Sequence, residues 1–136
     1  FDIYGYKNRQ PIWSEEFYNV IQLSKMGLNL SRTNSVKYYT SNRISSLIGN
    51  GLMTFMDIKT QLNDFFSDDE VIFYKNVEDL SEKLNYFKEN NQLRKKIAEN
   101  GQKKYFKFFN SRLVAKYIVC KTFNIKSKDK FYWENK

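Results

Sequence analysis

The chain has 136 residues, 41% hydrophobic and 18% aromatic, and its 23 Lys and Arg against 15 Asp and Glu give a net charge of +8. That length suits one domain with a real core, and the apolar content is far above that of a disordered chain. Histidine is absent and Cys120 is the one cysteine, which excludes His-based triads, the usual zinc sites and an internal disulfide; no apolar run reaches the ~18 residues of a membrane span.

Phe1 to Tyr6 reads as a strand already under way, so the chain is expected to be part of a longer one, and Lys7 to Pro11 as a loop. Ser14 followed by Glu15 and Glu16 predicts a helix N-cap with an acidic first turn. Phe17, Val20 and Ile21 continue the helix to about Met26. Gly27 to Ser31 predicts a short strand, and the sequon at Asn29-Leu30-Ser31 on it is read as accidental. After the polar loop from Arg32 to Thr40, Ser41 is expected to cap a short helix carrying Ile44, Leu47 and Ile48, closed by Gly49-Asn50-Gly51.

The continuous apolar runs Leu52 to Met56 and Val71 to Tyr74 predict buried strands covered on both faces. A small turn with Leu62, Phe65 and Phe66 lies between them. Asn76 predicts a helix cap ahead of Leu80, Leu84 and Phe87, and Asn91 a second ahead of Leu93 and Ile97, ending at Gly101. Tyr105, Phe106 and Phe109 predict a further short helix, and Asn110 or Ser111 opens a last one with Leu113, Val114, Tyr117 and Ile118. Cys120 falls in that apolar pattern as a buried thiol. The expected organisation is therefore an α/β domain over residues 1–124, a Rossmann-like parallel sheet of four strands with helices on both faces, and a basic tail over 125–136 that frays.

Ligands of open parallel sheets bind at the carboxyl ends of the strands. Of the two loops that qualify, the one from Ser31 to Ser41 is the more informative. It sets Arg32, Lys37 and Arg43 among the hydroxyls of Ser31, Thr33, Ser35, Thr40 and Ser41, ahead of a helix. Cations and hydroxyls at a helix start suit a diphosphate; Ser41 as a plain cap, with the cations in solvent, is the equally weighted alternative. No Gly-rich phosphate loop is present, and Asp68, Asp69 and Glu70 read as a solvated turn rather than a catalytic pair.

The ordered segments Gly27-Leu-Asn-Leu-Ser-Arg32, Tyr39 through Asn42-Arg43 to Asp57, Val71-Ile-Phe-Tyr74 and Leu93 to Gly101 resemble the C-terminal domain of group 1-type GT-B glycosyltransferases, in the subgroup similar to spore-maturation glycosyltransferases. The resemblance covers about residues 1–120. It implies transfer of a sugar from a nucleotide-diphosphate donor to an acceptor, with no cofactor and no metal, and with a catalytic residue supplied by an N-terminal half. By position, Arg32, Lys37 and Ser41 would lie near the diphosphate or sugar, and Arg43 would serve the phosphates. The sequence departs from the family where relatives hold a donor-contacting glutamate: Ser46 stands there, with Tyr38 at the partner position eight residues earlier.

From Arg94 to Lys136 lysine and arginine recur on helical segments. They read as a solvated face or as a peripheral contact with an anionic membrane; nucleic acid is not an expected partner. A cytoplasmic location is the simplest. The alternative function is a non-catalytic α/β module that meets an anionic partner through these basic helices.

Overall fold

A computed structural model describes residues 3, 4, 6–30 and 36–134. Its sheet has three parallel strands in the order β1 (Met26–Asn29), β2 (Met53–Asp57) and β3 (Ile72–Tyr74). Met26 lies opposite Met53, and Phe55 opposite Ile72. The helices are α1 (Ser14–Leu23), α2 (Arg43–Ile48), α3 (Val77–Glu89), α4 (Asn91–Phe108) and α5 (Ser111–Thr122). Two 3-10 turns, Ile58–Thr60 and Leu62–Asp64, join β2 to β3.

Alternation along the strands divides the core. Met53, Phe55, Ile72 and Tyr74 pack on one face against Leu80 and Phe87 of α3 and Ile97 and Ala98 of α4. Met56 and Phe73 turn to the other face, where Ile48, Leu62, Phe65 and Phe66 cover them. A satellite of Ile21, Leu47 and Leu52 seats α1 on α2. The expected α/β, Rossmann-like arrangement with a parallel sheet and helices is what the chain adopts. Both crossovers, through α2 and through the 3-10 turns, lie on one face, as successive right-handed connections in one direction require.

The expected first strand is not part of this sheet. Ile3, Tyr4 and Tyr6 lie in loop and turn, where the Arg9 amide donates to the Tyr6 carbonyl at 3.3 Å; Phe1, Asp2 and Gly5 are outside the described residues. Helix α1 begins on Ser14 itself, with Trp13 in the N-cap position and no side-chain cap. It stops at Leu23 rather than Met26, because Ser24 turns extended and its hydroxyl donates to the Val20 carbonyl at 2.7 Å.

The Asn76 side chain caps α3 as expected, accepting from the Asp79 amide at 2.8 Å. Asp79 in turn accepts from the Lys75 amide at 2.9 Å, one residue ahead of the cap, which ties the incoming chain to the first turn of the helix. Asn110 likewise opens α5, accepting from the Leu113 amide at 3.0 Å while donating to the Phe106 carbonyl of α4 at 2.8 Å.

The expected stop at Gly101 is wrong: α4 runs straight through it to Phe108. A Cβ at this position would stand 2.3 Å from the carbonyl oxygen of Glu70, so the glycine admits a close helix-to-backbone approach instead of ending the helix. Asn91 is correspondingly the first residue of α4 and not its cap. Arg94, expected on a solvated face, is 4% exposed. Its Nη1 donates to the Phe87 carbonyl at 2.8 Å and its Nη2 to the Asn91 side chain, so a buried cation closes the carboxyl end of α3.

Residues 125–134 form no helix or strand, yet part of this segment, expected as a basic tail, packs on the domain. Phe131 is buried, and Tyr132 and Trp133 pack on the second core. Cys120 is half-buried.

Two outcomes follow. Gly101→Ala should destabilise the domain by about 2–3 kcal/mol in urea unfolding, because the clash is with main chain that cannot rotate away. The Lys83 ammonium, then the Lys75 amide, hold the Asp79 carboxyl below its ordinary value. A depressed carboxylate adds stability that is present above its ordinary pKa and is lost as pH falls toward the folded one. The urea midpoint should therefore fall below about pH 4, and Asp79→Asn should flatten that part of the profile.

Candidate functional site

The carboxyl ends of the three strands gather the candidate residues. Strand β1 ends at Asn29, which is 1% exposed. Such burial rules out modification at this sequon, and it gives the side chain a different meaning. Asn29 Nδ2 donates to Thr40 Oγ1 at 3.1 Å, pinning the far end of the following loop back to the strand. Asn29 Oδ1 is buried and has no hydrogen-bond partner among the described residues. A buried acceptor without a donor costs about 1–3 kcal/mol, so it marks a place where a ligand can complete a bond.

Next to it, Ser41 and Arg43 organise the start of α2. Ser41 Oγ accepts from the Arg43 amide at 3.3 Å, and the Ser41 carbonyl from the Ile44 amide at 3.2 Å. Ser41 therefore supplies the expected cap contact, although Asn42 holds the N-cap position. With those amides engaged and a helix of six residues, anion attraction here must come from side-chain cations more than from the helix dipole. Arg43 is exposed, and its Nη1 donates to the Leu30 carbonyl at 2.8 Å, which braces the guanidinium against the end of β1. Its other N–H groups meet no protein partner among the described residues.

Lys37 and Tyr38 form a second group, tied to the β2–β3 connection. Tyr38 sits at φ +63°, with its amide donating to the Thr60 carbonyl at 3.0 Å. Its hydroxyl donates to Asp64 Oδ2 at 2.5 Å, and its ring meets Phe65 edge-on at 4.7 Å. Lys37 Nζ lies 3.4 Å from the same carboxylate oxygen and 4.3 Å from the Tyr38 ring centroid. The Tyr38 hydroxyl first, and Asp64 with it, hold the Lys37 ammonium above its ordinary pKa, so it stays charged at neutral pH.

Ser46 is half-buried on α2, and its hydroxyl donates to the Asn42 carbonyl at 3.4 Å. Among the described residues no side-chain bond links it to the other candidates. Arg32, like Ser31, Thr33 and Ser35, lies outside the described residues. At the last residue of β2, Asp57 Oδ1 accepts from the Lys59 amide at 2.9 Å. Burial, and secondarily the Asp57 charge, raise the pKa of the neighbouring Tyr74 hydroxyl. Asn29 and Thr40 are the residues that sequence reasoning undervalued here. A polar residue ending an otherwise apolar strand was the available signal.

A family model described as glycosyl transferase-like matches residues 1–119. No curated protein and no solved structure matches the chain.

The cost carried by Asn29 is open to measurement. Asn29→Leu keeps the branched shape of the side chain, gives up the Thr40 bond and removes the orphan acceptor, so stability should stay within about 1 kcal/mol of the native chain or rise. A loss beyond about 3 kcal/mol in urea unfolding would mean that Oδ1 is satisfied in solution.

Proposed function

Because the chain belongs to the glycosyltransferase-like family, we propose that it is the donor-binding half of a GT-B enzyme. In this reading it holds a nucleotide-diphosphate sugar at the carboxyl edge of the sheet for transfer to an acceptor. The observation that carries the proposal is the orphan Asn29 acceptor beside the braced, outward-facing Arg43, at the strand edge where open parallel sheets take ligands.

Each residue then has a limited part. Arg43 meets the diphosphate with the donors that Leu30 leaves over, and its bond to that carbonyl keeps the guanidinium from relaxing into solvent. Ser41 fixes the start of α2 and so the direction of Arg43. Lys37, held charged against Asp64 and Tyr38, offers an ammonium N–H donor whose charge Asp64 already matches. Arg32 belongs to the same phosphate-facing set by its position in the family motif. Ser46, a hydroxyl where relatives carry a carboxylate, makes at most a neutral contact with the donor's ribose. Catalysis would draw on an N-terminal half for the acceptor and the base, leaving this chain alone able to bind and not to transfer. No metal or cofactor takes part in this reading, which also puts the chain in the spore-maturation-like subgroup that its motif order resembles.

The test is a thermal-shift and calorimetric titration with UDP, GDP, ADP and TDP, with and without EDTA. One nucleotide should raise the melting temperature, unaffected by EDTA, since a ligand of the folded state stabilises it by mass action. Arg43→Ala should weaken that binding by about ten- to a hundredfold, as for a charge-assisted phosphate contact. A response to none of the four would overturn the proposal, and an unchanged affinity in the variant would remove Arg43 from it.

A further inference from the structure

The end of α4 and all of α5 concentrate the charge of the molecule. Between Gly101 and Lys128 there are eight lysine or arginine residues and no acid, as much positive charge as the net +8 of the whole chain. Lys104, Lys116 and Lys121 pair with acids outside this stretch, Glu70, Asp129 and Glu134. Lys103, Lys107, Arg112, Lys126 and Lys128 have no ion pair among the described residues.

Helix α5 has two apolar faces, and only one is used. Leu113, Tyr117 and Cys120 are half-buried toward the domain, where the Tyr117 ring meets Phe131 and Trp133 at 4.9 and 5.5 Å. On the opposite side Val114, Ile118 and Val119 are 38%, 57% and 47% exposed. Helical spacing sets Val114 beside Ile118 and Ala115 beside Val119, with Arg112 and Lys116 along one border of the strip and Lys121 along the other. Phe106 of α4 shares a groove with Val114, and Phe123 extends the apolar surface past the end of α5, 70% exposed.

A helix that only solvates its domain turns charge outward, and one that binds nucleic acid turns cations outward to phosphates. Here the outward centre is aliphatic and the cations border it. That order fits the plane of an anionic bilayer: aliphatic and aromatic side chains enter the acyl boundary, while lysine and arginine stems run alongside and leave their charges among the headgroups. We propose that the outer face of α5, with Phe106 and Phe123, is a docking surface for an anionic lipid membrane.

Co-sedimentation of the chain with phosphatidylcholine vesicles, with and without about 30% phosphatidylserine, tests this. Binding should be at least about tenfold tighter to the anionic vesicles and should weaken as salt screens it. Ile118→Asp should reduce it by about tenfold or more without lowering the melting temperature, because the site is exposed. Lys88→Gln on α3 changes net charge by the same amount and should leave binding nearly intact. No binding to anionic vesicles would overturn the proposal, and is the result expected if the face takes an acidic protein instead. Equal binding to neutral vesicles, or equal loss in the two variants, would overturn it as well.

Discussion

Where α4 crosses the amino ends of the strands, its backbone meets the Glu70 carbonyl with no room for a side chain at Gly101. Two further contacts collect on this crossing. Gln102 Nε2 donates to the Gly49 carbonyl at 2.9 Å, which fixes the end of α2, and Lys104 Nζ pairs with Glu70 at 2.7 Å, which fixes the residue leading into β3. The pair is only 16% and 18% exposed, so solvent screens it less than a surface bridge. Through α2 the constraint reaches the opposite edge of the sheet. The helix whose last turn Gln102 holds is the one whose first residue, Arg43, is braced on Leu30.

The α3–α4 corner shows the same logic in its electrostatics. A guanidinium as buried as that of Arg94 would be costly if left unpaired. It is placed instead at the carboxyl end of α3, where free carbonyls and the helix dipole both favour a cation. The Phe87 carbonyl accepts its bond while the Phe87 ring packs in the core, so one residue contributes to both. Charge that a linear count assigns to a basic surface is, at this position, part of the interior.

Elements whose cause is local were legible in the sequence. The runs Leu52–Met56 and Val71–Tyr74 could only be strands covered on both faces, and Asn76 and Asn110 cap because their side chains reach amides three residues on. Features caused by distant partners were not legible. Gly101 reads as a helix stop until Glu70, remote in sequence, is set against it. The tail carries no periodicity, yet Phe131 and Trp133 find Tyr117 of α5. In the site, Ser41 and Arg43 were legible as residue types at a helix start. The orphan state of Asn29 was not, because it depends on the burial of its side chain and on a bond to Thr40, eleven residues on.

The two edges of the sheet differ in a way that bears on function. At the amino edge the polar groups of Gly49, Glu70, Gln102 and Lys104 are matched to one another across elements. At the carboxyl edge Asn29 Oδ1 is buried without a donor among the described residues, and Arg43, an exposed residue, spends one guanidinium nitrogen on a carbonyl. Tyr38 is held there in the left-handed region, a conformation that costs a non-glycine residue about 1–3 kcal/mol. Unmet bonds and backbone strain weaken a domain of this size, and they persist only where the surrounding contacts over-determine them. The well-matched amino edge provides that support, which is why the unsatisfied groups can stay ready at the other.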